Sequence, residues 1–282
     1  MIQVFEHIEA LRAFLDPLEK EGKSIGFVPT MGALHTGHLA LIRESKKDND
    51  LTVCSIFVNP TQFNNPEDLK KYPRDFEKDQ LLLEGEHCDV VFHPSVDEMY
   101  PVPSTEVFDF GMLDKVMEGE FRPGHFNGVA TVVKRLFEIV RPTRAYFGQK
   151  DAQQVVVIGK MVKDLDFDLE LVVCPIVREA DGLAMSSRNA YLTPDQRAQA
   201  VVLSKALFEA RDLVEKGERR ADQIVKHIMQ GIESVAEAAV DYISVVDGHT
   251  LKDVEVLNGS VLIAIAVRIG RTRLIDNVQV EV

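Results

Sequence analysis

The chain has 282 residues, of which 45% are apolar and 27% are charged, and its formal net charge is −13 at pH 7. This composition excludes a disordered chain, and the acidic balance disfavours a surface that coats nucleic acid. No apolar run has the length of a membrane-spanning helix and the N-terminus carries no secretory pattern, so we expect a cytoplasmic protein that binds neither membranes nor nucleic acid.

The three cysteines, Cys54, Cys88 and Cys174, are widely separated along the chain. No two of them have the spacing of a metal-binding pair. Cys54 and Cys174 lie in apolar runs, which predicts buried thiols in a reducing compartment.

The segment that follows the first apolar run changes its periodicity within a few residues. Ile25–Val28 is uniformly apolar, which predicts a strand buried on both faces, and we expect Pro29 to end it. Gly32 and Gly37 permit a tight turn, and a helical pattern begins near His38. Free N–H groups at such a strand–turn–helix junction, together with the helix dipole, predict an anion site.

Two imidazoles, those of His35 and His38, fall within this junction in the pattern His-Thr-Gly-His. Imidazoles donate hydrogen bonds to phosphate oxygens and respond to a change in charge. The alternative is a pair of surface histidines in a loop. The position after a buried strand favours the first interpretation, and the pattern resembles the H-x-G-H motif of the nucleotidyltransferase superfamily, whose histidines contact the phosphates of ATP.

A second apolar run, Leu51–Val58, predicts the next strand, and the strand–helix–strand order predicts a parallel sheet with a right-handed crossover. Gln62 lies just beyond this strand. Ligands of parallel sheets bind at the carboxyl ends of strands, and an amide both donates and accepts, so Gln62 is a candidate for binding a hydroxyl or a carboxylate. An ordinary turn rich in Asn and Pro is the alternative.

The strand predicted at Ala145–Phe147 runs directly into a glycine, a cation and a carboxylate. Lys150 is suited to binding a phosphate, and Asp151 to binding a ribose hydroxyl or a metal. The alternative is a turn with a solvated Lys–Asp pair. Between these regions we expect a further short strand at Glu106–Phe110.

A third polar segment contains two hydroxyls and a guanidinium in succession, Ser186, Ser187 and Arg188. These groups suit phosphates whose charge grows in a transition state, although a Ser-rich linker between domains is also consistent with the pattern. Thr193 then begins a capping box with Pro194 at the first helical position.

The remainder of the chain predicts two helices and then strands, the last two forming a hairpin at Gly270. The expected fold class is therefore α/β, with a Rossmann-like parallel sheet in an N-terminal domain, residues 1–177, and a smaller α+β C-terminal domain, residues 178–282.

Four separated segments, taken in this order and spacing, resemble the pantoate–β-alanine ligase (pantothenate synthetase) family over nearly the whole chain. The segments are Pro29–His38, Phe57–Phe63, Phe147–Gln154 and Met185–Asn189. The resemblance implies a two-step reaction, in which pantoate and ATP form pantoyl adenylate and the amine of β-alanine then displaces AMP.

The resemblance also implies roles for individual residues. His38, His35, Lys150, Ser186, Ser187 and Arg188 would be catalytic. Residues expected to line the ATP site are Met31, Gly32, Ala33, Leu34, His35, Thr36, Gly37, His38, Gly148, Gln149, Lys150, Asp151, Val177, Met185, Ser186, Ser187 and Arg188.

For the other ligands, the resemblance implies that Gln62 and Gln154 bind pantoate and that Gln62 also binds β-alanine. Mg²⁺ would accompany ATP, with Asp79 as a candidate ligand. The resemblance further implies a homodimer formed through the N-terminal domains.

Two other functions share the His-Thr-Gly-His turn. An adenylyltransferase that makes a stable dinucleotide would give no role to Gln62, Gln154 and an amine acceptor. A non-catalytic nucleotide-binding protein would not need the set His35, His38, Lys150 and Arg188.

Overall fold

The structure, a computed structural model, describes residues 2–64 and 66–282. The chain forms two compact units, one made of Met1–Gln149 and Val157–Pro175 and the other of Lys150–Val156 and Ile176–Val282. One of the places where the chain passes from one unit to the other, between Val156 and Val157, lies inside the helix Ala152–Asp164. The domains predicted from the sequence, 1–177 and 178–282, remain a proposal.

In the described part of the first unit, six strands form one parallel sheet in the order β1-β4-β3-β2-β5-β6. The strands are β1 (Gln3–Phe5), β2 (Ile25–Thr30), β3 (Leu51–Ile56), β4 (Val90–Phe92), β5 (Arg144–Gly148) and β6 (Glu170–Cys174). The helices of this part of the chain are α1 (Ile8–Lys20), α2 (Thr36–Asp48), α3 (Pro66–Lys71), α4 (Phe76–Gly85), α5 (Val96–Met99), α6 (Glu118–Phe121), α7 (His125–Val140) and α8 (Ala152–Asp164).

The apolar runs of the central strands account for their position in the sheet. Phe27 and Val28 of β2 and Val53 and Cys54 of β3 have no exposed surface, as expected for strands covered on both faces. The predicted parallel α/β architecture is confirmed.

Pro29 does not end β2, contrary to the prediction. It lies opposite Ser55 of β3, inside the strand. The carbonyl of Thr30 accepts from the N–H of Phe57, so the backbone groups of Thr30 point towards β3. Neighbouring residues of a strand point to opposite sides, and the nitrogen of Pro29 therefore points towards β5. Pairing of β2 with β5 stops at Phe27, and the missing N–H therefore removes no bond from the sheet.

The order of the strands reverses between β2 and β5. Connections lead from β2 to β3 on one side and from β5 to β6 on the other. This is the topological switch point at which open parallel sheets bind ligands. The turn that contains His35 follows β2, and Gly148 ends β5, so these segments share the carboxyl edge of the sheet.

The second unit contains an antiparallel three-stranded sheet, β7 (Ala238–Asp247), β8 (Ser260–Ile269) and β9 (Thr272–Glu281). Three helices precede it, α9 (Pro194–Gln199), α10 (Val201–Glu215) and α11 (Ala221–Glu233). Residues such as Leu207, Ile228 and Ile263 are fully buried in one core between these helices and the sheet. The hairpin at Gly270 and the capping box at Thr193 are both confirmed.

One predicted strand is absent from the described residues, since Glu106–Phe110 forms no ladder. The side chain of Asn127 in α7 takes the place of a strand partner. It donates to the carbonyl of Glu106 at 3.0 Å and accepts from the N–H of Phe108 at 2.9 Å. An alternating sequence pattern cannot distinguish this arrangement from strand pairing.

The predicted burial of the thiols is confirmed, since Cys54 and Cys174 are buried and unbridged. Of the helices in the part of the chain that the structure describes, none combines the length and the apolar character needed to cross a membrane.

Candidate active site

The turn after β2 is held by one carboxylate from α4. Both oxygens of Asp79 accept backbone hydrogen bonds, one from Ala33 and one from Leu34, each at 2.8 Å. Gly32 and Ala33 have positive φ angles of 78° and 51°. A Cβ atom on Gly32 would lie 2.8 Å from Oδ2 of Asp79, so the turn requires glycine at this position.

Asp79 is almost completely buried. Burial raises the pKa of this carboxyl, and the two backbone hydrogen bonds oppose the shift without cancelling it. Among the described residues, no cluster of three or more His, Cys, Asp or Glu side chains could hold a metal ion. Because both Asp79 oxygens already accept hydrogen bonds, the geometry supports a role in fixing the turn. The metal assignment stays a prediction.

Helix α2 begins two residues earlier than predicted, at Thr36, because His35 acts as its N-cap. Nδ1 of His35 accepts from the N–H of Gly37 at 3.1 Å, and Nδ1 of His38 accepts from the N–H of His35 at 3.4 Å. This is a capping box built from two imidazoles in place of Ser or Thr and Glu. The ring centroids lie 4.1 Å apart.

The capping box fixes the tautomer of both neutral rings. A backbone N–H can only donate, so each Nδ1 that faces one is an acceptor without a proton. The proton of each neutral imidazole is therefore on Nε2. Both rings are half-buried at the carboxyl edge of the sheet.

Fewer backbone N–H groups of this turn are available to a ligand than the sequence predicts. We predicted that free backbone N–H groups would bind an anion, but most of them donate within the protein. The amides with such a partner are those of Gly32, Ala33, Leu34, His35, Gly37 and Leu39. The imidazoles of His35 and His38 are further groups of this turn that are suited to donating to an anion.

Gln62 lies in a short 3₁₀ turn, Pro60–Gln62, beyond β3, and its amide orientation is set by two neighbours. Oε1 accepts from Nδ2 of Asn59 at 3.2 Å, and Nε2 donates to the sulfur of Met31 at 3.0 Å. Two predicted site residues, Met31 and Gln62, are thus in contact. A thioether is a weak acceptor, so an oxygen of a ligand can readily replace it.

Asn59, which the sequence did not identify as a site residue, is the centre of this network and has no exposed surface. Its amide also donates to the carbonyl of Gly128 at 3.0 Å, and its oxygen accepts from the hydroxyl of Tyr100 at 3.0 Å. Burial raises the pKa of Tyr100, which keeps this hydroxyl a donor. From the sequence alone, Asn59 and Pro60 predict a turn but not this network.

Helix α7 packs closely against the same turn. A Cβ atom on Gly128 would lie 2.3 Å from the carbonyl oxygen of Thr61 and 2.8 Å from Cα of Gln62. Nδ1 of His125 lies 3.0 Å from the carbonyl oxygen of Gln62. Gly128, in the first turn of α7, therefore permits this close packing.

The other predicted residues fall partly in the second unit. Gly148 and Gln149 belong to the first unit, whereas Lys150, Asp151 and the half-buried Gln154 belong to the second. The predicted ATP residues therefore form two groups, one in each unit.

In the second unit, the segment from Val177 to Met185 is a tight hairpin. The N–H of Met185 donates to the carbonyl of Val177 at 2.9 Å, and the N–H of Glu179 donates to the carbonyl of Leu183 at 2.8 Å. Ser186 follows directly and caps a 3₁₀ turn, Ser187–Tyr191, by accepting from the N–H of Arg188 at 3.2 Å. The segment is thus an ordered structure and not a linker.

Comparison with known proteins assigns the family. The model of the pantoate-beta-alanine ligase family matches residues 3–279. The chain belongs to the pantoate–β-alanine ligase family. A pantothenate synthetase of Acetivibrio thermocellus is 54% identical over 281 residues, which cover 100% of both chains. One of Caldicellulosiruptor saccharolyticus is 55% identical over 275 residues, 98% of each chain.

Solved pantoate–β-alanine ligases have the same fold. The crystal structure of the pantothenate synthetase from Thermus thermophilus has a TM-score of 0.93 and 44% identity, covering 98% of this chain and 99% of that one. The ligase from Francisella tularensis, complexed with beta-gamma ATP and beta-alanine, has a TM-score of 0.80 and 35% identity. The match covers 99% of this chain and 97% of that one. The family and the ligase class inferred from the sequence are confirmed.

Substitution of Asp79 tests its role in this ligase. Asp79→Asn places an NH₂ group opposite the N–H of Ala33 or Leu34, so we expect the free energy of unfolding in urea to fall by about 1–3 kcal/mol. Excess Mg²⁺ should not restore the lost free energy of unfolding. Asp75→Asn at the N-cap of the same helix is the control, because Asn caps as well as Asp. Unchanged stability with a raised Mg²⁺ requirement would instead favour a metal ligand.

Proposed function

We propose that the chain catalyses the ATP-dependent condensation of (R)-pantoate with β-alanine to pantothenate, releasing AMP and pyrophosphate. The observation that carries this proposal is the family match across residues 3–279. The two imidazoles at the switch point of the sheet and Gln62 beside Met31 support it chemically.

The reaction has two steps. A carboxylate oxygen of pantoate attacks the α-phosphorus of ATP, and the bond to the bridging oxygen breaks as pyrophosphate leaves. The neutral amine of β-alanine then attacks the carbonyl of pantoyl adenylate; AMP leaves, and the amine loses a proton to solvent. Neither step needs a protein nucleophile, so catalysis depends on positioning and on stabilising charge.

His35 and His38 would meet the phosphates through Nε2–H. Their Nδ1 atoms face backbone donors, which fixes the direction of the remaining ring donor. A donor held in place before the reaction stabilises growing phosphate charge without reorganisation. On this proposal, His38 acts by stabilising charge rather than by transferring a proton.

Gln62 would bind both acids through its Nε2 group. The bond to the Met31 sulfur holds the amide in place and is weak enough to be exchanged for a carboxylate or hydroxyl oxygen. Asn59 holds Oε1 and prevents the amide from turning over. Gln154 would bind the hydroxyls of pantoate.

The remaining predicted residues would bind ATP. Lys150, Ser186, Ser187 and Arg188 would contact the phosphates, and Gly148–Asp151, Val177 and Met185 would line the nucleotide. Mg²⁺ would enter as part of the MgATP substrate. A homodimer formed through the N-terminal domains and a cytoplasmic location are proposed from the family resemblance alone.

Omitting each substrate in turn tests the reaction. With ATP, pantoate and β-alanine all present, we expect AMP and pyrophosphate in equal amounts, measured by a coupled assay. No AMP accumulates catalytically without β-alanine, because pantoyl adenylate then remains bound. Formation of ADP, or of a stable nucleotide-linked product, would contradict the proposal and favour a different transferase.

His38→Gln separates catalysis from folding. Gln at this position of a capping box can still accept from the N–H of His35, so we expect the melting temperature to be preserved. With its oxygen in the cap, the Gln amide does not place its NH₂ group where Nε2–H of the ring lies, so the adenylation rate should fall about 10²–10³-fold. His38→Ala, which also loses the cap, is the comparison and should lower both rate and stability. Normal turnover by His38→Gln would refute the assignment.

A further inference from the structure

A buried ion pair in the second unit joins the Val177–Met185 hairpin to β9. Nη1 and Nη2 of Arg178 donate to the two carboxylate oxygens of Asp276 at 2.7 and 3.0 Å. The Asp276 side chain is 2% exposed. This two-pronged geometry fixes the direction as well as the distance of the contact.

The Arg178 guanidinium makes three further contacts. Nη1 donates to the carbonyl of Gly182 in the hairpin at 3.0 Å, and Nη2 to the carbonyl of Asn277 in β9 at 3.3 Å. Its Cζ atom lies 4.8 Å from the ring centre of Phe208 in α10. Arg178 therefore ties the turn of its own hairpin to the strand, and this hairpin leads into the segment Ser186–Arg188.

The residue next to Asp276 holds a second segment. The N–H of Asn277 donates to Oδ1 of Asp276 at 2.8 Å, and its side-chain amide donates to the carbonyl oxygen of Lys150 at 3.1 Å. Two consecutive residues of β9 therefore make these contacts. Asn277 contacts the backbone of Lys150, and Asp276 contacts the hairpin that leads to Ser186. These two segments are far apart in sequence, and both carry residues proposed to bind ATP.

We propose that Arg178, Asp276 and Asn277 are positioning residues for ATP, which keep Lys150 and the Ser186–Arg188 segment at a fixed separation. This inference rests on the proposed function. None of the three residues is assigned a contact with substrate; they act through the backbone that they hold.

The chemistry of the pair fits this role better than a purely stabilising one. Burial raises the pKa of the Asp276 carboxyl, against the opposing effect of Arg178, so the charged pair is costly to desolvate. Apolar side chains of the same volume can stabilise a fold as well as a buried ion pair does. What an ion pair adds is a defined geometry between the elements that it joins.

Asn277→Ala tests the proposal in the full-length enzyme. Pantoate-dependent exchange of pyrophosphate into ATP measures the first step, and release of AMP from supplied pantoyl adenylate by β-alanine measures the second. Loss of one hydrogen bond should raise the KM for MgATP in the exchange reaction about tenfold. The second step should remain within about twofold of the wild-type rate, because the triphosphate takes no part in it.

Two variants separate positioning from packing. Asn277→Asp keeps the size of the side chain but turns an acceptor towards the Lys150 carbonyl, so it should raise the KM for MgATP more than Asn277→Ala does. Gln279→Ala on the same strand removes an exposed bond to Ser260 and should change neither step. Arg178→Lys keeps the charge without the two-pronged geometry and should resemble Asn277→Ala; it carries the test if Asn277→Ala does not fold.

Two results would overturn the proposal. One is an unchanged KM for MgATP in Asn277→Ala and Asn277→Asp. The other is an equal loss in both steps that follows a lowered melting temperature, as a purely structural role predicts. If the wild-type enzyme shows no pantoate-dependent exchange, the proposed function itself fails and this inference fails with it.

Discussion

The two backbone hydrogen bonds that Asp79 accepts from Ala33 and Leu34 determine what the turn after β2 can do. They stabilise two successive residues at positive φ and place His35 where its ring caps α2. Because these amides donate to the protein itself, the proposed phosphate contacts of this turn are assigned to side chains. The rigid sheet edge, the buried carboxylate and the capping box together direct both imidazoles, and the proposed catalysis depends on that direction.

The same arrangement occurs three times among residues that support the predicted site residues: a polar side chain fixes the backbone or the amide of another residue. Asp79 holds the histidine turn, Asn59 holds Gln62, and Asn277 holds Lys150. Asp79 and Asn59 are buried, so their hydrogen bonds compete little with water. Such supporting groups keep reacting groups in place before the substrate binds, which is what a reaction without a protein nucleophile requires.

Local periodicity was sufficient to predict the parallel sheet, the hairpin at Gly270 and the segments that carry the site residues. The supporting contacts could not be predicted, because they join distant parts of the chain. Asp79 is 46 residues from Ala33, and Asn277 is 127 residues from Lys150. The start of α2 was placed two residues late because an imidazole seldom serves as an N-cap, and Pro29 was misread because its effect depends on where β5 stops pairing.

In the ligand-free fold, the capping box is expected to keep the proton of both imidazoles, those of His35 and His38, on Nε2. The ¹⁵N chemical shifts of His35 and His38 in the ligand-free enzyme, at a pH where the rings are neutral, test it directly. We expect an unprotonated Nδ1 and a protonated Nε2 in both rings. A proton on Nδ1 of either ring would place two donors face to face in the capping box and would contradict the account.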